Sequence, residues 1–279
     1  MRSYVGMLRA AMAAWSVHRA SSMGAAVAFY ASFSLAPMFV IVIAVAGLFF
    51  GEDAARGEIV AQLSGLIGVA GAQAIEGFIE GARNLEQGFW ASLIAIVTLL
   101  LAATSAFAEL KDSLDVIWDV KPEQRSGWMS ILRGRFLSFG LILTLSFLLL
   151  VSLVISALLT ALQKYWGPWF SGAVWLGESL NSLISFFVVS TLFAIIYKWL
   201  PQPAIAWRDV TVGALVTAAL FTLGKYLIGV YLGNSAVASS FGAAGSLIVI
   251  LLWVYYSSQI FFFGAEFTRV YADHRGSRS

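Results

Sequence analysis

Lys225 has the strongest claim to chemistry in this chain, because it stands inside an apolar run, Asp209 to Leu232, long enough to cross a bilayer. A cation within a span is costly to keep in hydrocarbon and faces a bundle interior, a cavity or a partner. Counted from Asp209, the helical rise sets it about 24 Å in, toward the outer side. Glu178, Glu76 and Glu80 are the carboxylates expected within reach. Such a pair could hold an outer end closed and part when an anionic headgroup arrives. The bland alternative is an ammonium that snorkels to the outer headgroups. Two further carboxylates, Glu109 and Glu266, close their spans on the cytoplasmic side, where Arg133, Arg135 and Arg208 also lie. They can cap arginines or accept protons, and structural pairing is the favoured role. Tyr30, Tyr226, Tyr231, Tyr255 and Tyr256 bring hydroxyls in or beside spans, as packing or interfacial residues before ligands.

Other chemistry is missing from the pattern. With no cysteine, disulfides, thiolate metal sites and cysteine nucleophiles are excluded. The two histidines, His18 and His274, lie near the ends. No HExxH, Walker-type phosphate loop or Gly-x-Ser-x-Gly elbow occurs. Asp112, Asp115 and Asp119 have spacings that could share a helical face and hold a divalent metal. Lys111 and an adjoining apolar stripe favour a solvated surface instead. No basic, aromatic-interleaved patch suits nucleic acid. The expectation is a non-enzyme without cofactor or metal.

The elements that must position these residues follow from composition. At 60% hydrophobic and 11% charged, the 279-residue chain falls far below the charge content of a soluble domain. Residues 1–22 read as an amphipathic helix, with Tyr4, Leu8, Ala11, Met12 and Trp15 at spacings of three and four, and Arg2, Arg9 and Arg19 available to lipid phosphates. A cap helix packed on the bundle fits the same pattern. Arg9, His18 and Arg19 interrupt any cleavable signal. Spans are expected at 24–50, 89–108, 136–162, 180–200, 210–232 and 242–265. Pro37 should kink the first, where Ser32 and Ser34 can satisfy freed carbonyls. Pro201 and Pro203 should end the fourth. Residues 109–135 form a cytoplasmic loop with an interfacial helix broken at Pro122. Residues 51–88 form an outer segment carrying Glu52, Asp53, Glu58, Glu76, Glu80 and Glu86. Its stretch 59–79 reads as re-entrant or interfacial, with a seventh span as the competing assignment.

Charge orients the six spans. Only Arg56, Arg83 and Lys164 lie on the outer side, whereas every other Lys and Arg except Lys225 falls on the inner side. This is a positive-inside pattern with both termini cytoplasmic, which a seventh span would scramble. Trp166, Trp169 and Trp175 suit one interfacial belt, Trp199 and Trp207 the other. Small residues, Ala25, Ala26 and Ala28, then Gly213-Ala214, Gly224, Gly229 and Gly242 to Ser246, permit close helix approach.

Several blocks carry a resemblance. Ala25-Ala26-Val27-Ala28-Phe29-Tyr30 leads to Ser34-Leu35-Ala36-Pro37. Trp207-Arg208-Asp209 runs through Gly213-Ala214 to Lys225 and Tyr231. Phe241 to Ser246 precedes Leu251 to Tyr256 and Gly264-Ala265-Glu266. Together they resemble the BrkB/YihY family of bacterial inner-membrane proteins, once widely labelled ribonuclease BN, over nearly the whole chain. Phe241 stands where many relatives have tyrosine. The resemblance implies a six-span protein associated with envelope integrity and suspected of moving lipids or other substrates. It lends no established binding residue, and ribonuclease activity finds no chemical support in the residues.

The resulting expectation is an all-α polytopic bundle forming a single membrane domain. Its function is read as a transporter or flippase-like permease for an anionic lipid-related or other amphipathic substrate. A scaffolding role in envelope assembly is the alternative. Membrane lipids are the expected partners, with a second copy or an envelope protein as further candidates and no nucleic acid.

Overall fold

In a computed structural model of the chain, the described residues are 4–32, 105–120, 173–234 and 245–277, with residues 51, 57, 60, 72, 73 and 76. They contain helices and no strands. Helix α1 is Tyr4–Val17 and α2 covers 20–32. Helix α3 covers 105–117, and three long helices follow: α4 Ala173–Trp199, α5 Trp207–Asn234 and α6 Gly245–His274.

The alanines of α1 favour helix because they lose no side-chain entropy there. The helix stops where Arg19 takes a left-handed φ of 55°. Ser22 N–H then donates to Arg19 O at 2.9 Å, opening α2. Helix α3 ends in the same way at Asp119, with φ 54°. Val120 N–H reaches back to Asp115 O at 2.8 Å, and Asp119 N–H to Val116 O at 3.0 Å, the paired bonds of a Schellman cap. Helix α4 gives way to Pro201 and Pro203, which lack the donor needed to continue it.

Among the described residues, three stretches are long and apolar enough to cross a membrane: Ser182–Trp199, Trp207–Tyr231 and Leu247–His274. The 25 residues of the second rise about 38 Å, more than a ~30 Å hydrocarbon core requires. Leu183 and Phe187 on α4, and Leu215, Leu223, Leu227 and Val230 on α5, are exposed, as lipid-facing side chains would be. Hydroxyls in these helices turn inward onto their own backbone. Ser190 donates to Phe186 O and Thr191 to Phe187 O at 2.8 Å, and Ser258 to Val254 O at 2.8 Å. Where no water is at hand, the carbonyl one turn back is the nearest acceptor.

Within what reads from sequence as one membrane domain, contacts group into two compact units. One comprises Met1–Met12, Leu114–Leu220 and Gly264–Ser279; the other comprises Ala13–Ser113 and Phe221–Phe263.

The first unit is built around two Gly-x-x-x-Thr segments. Thr217 Oγ1 donates to Gly213 O on α5, and Thr268 Oγ1 donates to Gly264 O on α6, each at 2.7 Å. Each threonine lies over the other segment's glycine: a Cβ at Gly213 would overlap Thr268, and one at Gly264 would overlap Thr217. Close approach of this kind requires the missing side chain. Tyr197 of α4, fully buried, joins the contact through its hydroxyl, 3.1 Å from Thr217 Oγ1. Met7 and Ala11 bury one face of α1, while Tyr4, Val5, Leu8 and Met12 are exposed.

The second unit holds α2 by a stripe of small buried positions, Ala20, Gly24, Ala28 and Ser32, at intervals of one turn. Ser32 Oγ donates to Ala28 O at 2.7 Å. Of the three alanines singled out in sequence, Ala28 lies on this stripe, whereas Ala25 is exposed and Ala26 half-buried. On α5, a Cβ at Gly224 would meet Ile260 at 2.5 Å and Tyr256 at 3.0 Å. Phe221 stands edge-on to Trp253, ring centroids 6.2 Å apart.

Some boundaries differ from the hydropathy reading. Residues 105–117 are one continuous helix across the expected break at 108/109, because Ala106, Leu114 and Ile117 bury a single stripe through it. The last helix continues to His274 beyond the expected end at 265, since Phe267, Val270 and Tyr271 remain buried. Helix α4 starts at Ala173, inside the expected loop. The spans at 89–108, apart from its last residues, and 136–162, as well as Pro37 and Pro122, lie outside the described residues.

Candidate functional site

In the first unit, charged side chains tie together segments remote in sequence. Asp115 is fully buried on α3, and its Oδ1 accepts from the backbone N–H of Gln202, in the turn after α4, at 2.8 Å. Arg269 of α6 donates to Ile117 O and forms an ion pair with Asp119, so it caps the end of α3. Asp209, also fully buried, sits in the first turn of α5, where a carboxylate complements the helix dipole. Its Oδ2 accepts from Ser277 N–H at 3.1 Å and Ser277 Oγ at 2.6 Å. Lys198 donates to Ile205 O and lies 5.6 Å from the Trp207 ring centroid. Arg275 lies 4.7 Å over the ring of Tyr4.

These contacts correct the expectation of three solvated aspartates. Asp112 and Asp119 are exposed, but Asp115 points inward and is taken up by a backbone donor. One helical turn is enough to separate a solvated carboxylate from a structural one. Among the described residues, no group of three His, Asp or Glu side chains could hold a metal ion.

The residues singled out from sequence are dispersed. Lys225 is half-buried on α5, inside the candidate span Trp207–Tyr231. Glu76 is helical and half-buried, and Glu178 lies in the first part of α4. Glu266 is fully buried on α6, so its carboxylate is not at a solvated span end. Glu109 is half-buried on α3; burial first, and Asp112 next, raise its pKa above the ordinary glutamate value. Arg208 is exposed, and Tyr30 is 37% exposed, edge-on to Phe29. Glu80, Arg133 and Arg135 lie outside the described residues.

In the second unit, Gln259 stands midway along the 30-residue α6, and both polar atoms of its amide are buried without a hydrogen-bond partner. Trp253 Nε1 and Ser113 Oγ share that condition. Each buried polar group left so costs about 1–3 kcal/mol. Sequence reasoning passed over Gln259 and Arg269, placed Asp115 on a solvated surface and took Asp209 only as the start of a span. A lone amide in the final apolar run was the visible signal for Gln259. Nothing local distinguished Asp115 from Asp112.

The comparisons with known proteins agree with this architecture. The family model described as virulence factor BrkB matches residues 11–279. A UPF0761 membrane protein of Psychromonas ingrahamii is 30% identical over 197 residues, covering 70% of this chain and 61% of the relative. One from Pseudoalteromonas atlantica is 25% identical over 245 residues, covering 87% and 78%. One from Pseudomonas aeruginosa is 28% identical over 193 residues, covering 68% and 43%. Matched segments thus span 61%, 58% and 43% of the first relatives' lengths. No solved structure matches. With long apolar helices, relatives named as membrane proteins and a family match from residue 11 onward, the chain is a membrane protein that belongs to the BrkB family.

Proposed function

We propose that this protein is a transporter or flippase-like permease of the bacterial inner membrane, acting on an anionic lipid-related or other amphipathic substrate. The observation that carries this reading is Lys225, half-buried inside an otherwise apolar span. A lysine at such depth costs about 2.5–3.5 kcal/mol at a span's centre by insertion scales, and less toward an interface. Its ammonium would offer an anionic headgroup a station in the outer half of the membrane, with Glu76 or Glu80 as the resting counter-charge. Both termini are assigned to the cytoplasm on the charge bias, where the basic segments would gather anionic headgroups. Energy would come from a gradient or from a partner protein.

Purified protein in liposomes carrying labelled anionic or zwitterionic lipid tests the reading. Protein-dependent movement that falls in Lys225→Met supports it; movement unchanged by that substitution removes Lys225 from the pathway. A scaffolding role draws support from a different observation, the tightly interlocked Gly213, Thr217, Gly264 and Thr268 of the first unit. Folded protein that moves no lipid would favour that role.

A further inference from the structure

Three candidate spans have an end at one surface of the first unit. Ser182–Trp199 stops shortly before Trp207–Tyr231 starts, and the rings of Trp199 and Trp207 meet edge-on, centroids 6.1 Å apart, each about half exposed. The last, Leu247–His274, ends beside them, because Ser277 donates to Asp209 in the first turn of α5. The tryptophans, with Lys198, Arg208 and Arg275 at the three ends, are the side chains of a membrane–water boundary. Helix α1 begins at that level, since Arg275, one residue past the last span, lies over the ring of Tyr4. The helix presents two faces. Met7 and Ala11 are fully buried against the protein. The adjoining row Tyr4, Leu8 and Met12, with Val5 beside it, is 41–59% exposed. Arg9, one turn after Val5, is exposed on the same side, and α1 carries no acidic residue.

We infer that this outward face of α1 is a lipid-docking surface, with Val5, Leu8 and Met12 among the acyl chains and Arg9 on a lipid phosphate. A contiguous apolar patch with a polar edge marks a membrane or protein contact rather than a face kept in water. A helix at the headgroup boundary sinks its apolar rows while a long cationic side chain reaches up to phosphate. Arg9 stands at the edge of the apolar rows, where that reach is open to it. A second copy of the same face would bring two Arg9 side chains into one contact, with no carboxylate from α1 to balance them. The interfacial and cap readings of the N-terminal segment then both hold, one for each face. Lipid movement is not required, since a scaffold would dock in the same way.

The chain has no cysteine, so a single introduced thiol carries the only label. Full-length Leu8→Cys and Met12→Cys proteins are labelled with nitrobenzoxadiazole and placed in phosphatidylglycerol vesicles. Phe187→Cys, exposed within the α4 span, serves as the lipid reference, and Gln202→Cys, exposed in the turn after α4, as the aqueous one. Quenching is compared between spin-labelled acyl chains and iodide present on both sides of the bilayer. Labels at 8 and 12 should be quenched by the lipid, as at 187, and lose the iodide quenching seen at 202. In Arg9→Glu, lipid quenching at position 8 should fall. Iodide quenching at 8 and 12 as strong as at 202 overturns the inference. Shielding from both quenchers means that protein covers the face, and also overturns it. Lipid quenching unchanged in Arg9→Glu overturns the phosphate contact. The two label positions repeat the test, so failure of one variant to fold leaves the other to decide it.

Discussion

Among the described residues, the two units differ in how far the hydrogen bonds of their buried polar groups reach. In the first, Asp115 accepts from the Gln202 backbone, Asp209 holds Ser277 through Oδ2, and Tyr197 and Thr217 share a hydrogen bond. In the second, Ser32 and Ser258 bond one turn back along their own helices, and the amide of Gln259, the indole N–H of Trp253 and the hydroxyl of Ser113 are buried without a partner, as is Oδ1 of Asp209 in the first. Polar groups that bond to one another hold helix ends and turns in place. Buried polar groups without a partner are costly to keep. The bonds between distant segments make the first unit a framework, and Lys225, half-buried inside a candidate span, makes the second the part to probe for binding.

The contrast is broken hardest at the interlocked glycines. Gly264→Val would drive a branched side chain into Thr217 and Tyr197. Overpacking of this kind typically costs about 1–3 kcal/mol, occasionally more, and backbone separation here would also strain the Tyr197–Thr217 bond. Loss of the monodisperse folded protein by size-exclusion chromatography is expected. Asp115→Ala comes next. It leaves the Gln202 N–H without its acceptor and should lower stability by about 1–3 kcal/mol, read as a fall in Tm. Tyr197→Phe removes a single hydroxyl from a neutral pair, so a loss of about 1 kcal/mol is expected with the fold intact.

Glu109 gives the smallest effect and a sign that can be checked. Its folded pKa is raised, so the folded state holds the proton more tightly than the unfolded chain. Its contribution is fully present below the unfolded glutamate pKa of about 4.3 and is lost as pH rises through the folded value. Glu109→Gln should remove that slope and leave Tm slightly higher at neutral pH. A Tm–pH profile of the variant that is as steep as wild type would remove Glu109 as the source.

Legibility from sequence followed the range of the interaction. Helices α4, α5 and α6 are visible in hydropathy because a lipid-facing helix must be apolar over its length, and the paired prolines mark the end of α4. The N-terminal helix was readable in its spacing. Its burial was not, since Met7 and Ala11 meet the protein while Leu8 and Met12 are exposed. The inward turn of Asp115 depends on a donor 87 residues away. The Gly213–Thr268 and Gly264–Thr217 contacts likewise join two helices whose register no local pattern specifies. Glu266 was noticed as a span-end carboxylate, but its complete burial comes from α6 running on past it to His274.

The most direct test of the division between framework and working part is lipid movement in proteoliposomes, comparing wild type, Lys225→Met and Tyr197→Phe at equal folded content. The account predicts protein-dependent movement of anionic lipid that falls in Lys225→Met and persists in Tyr197→Phe. Folded wild type that moves no lipid, or a Lys225→Met protein as active as wild type, would contradict it.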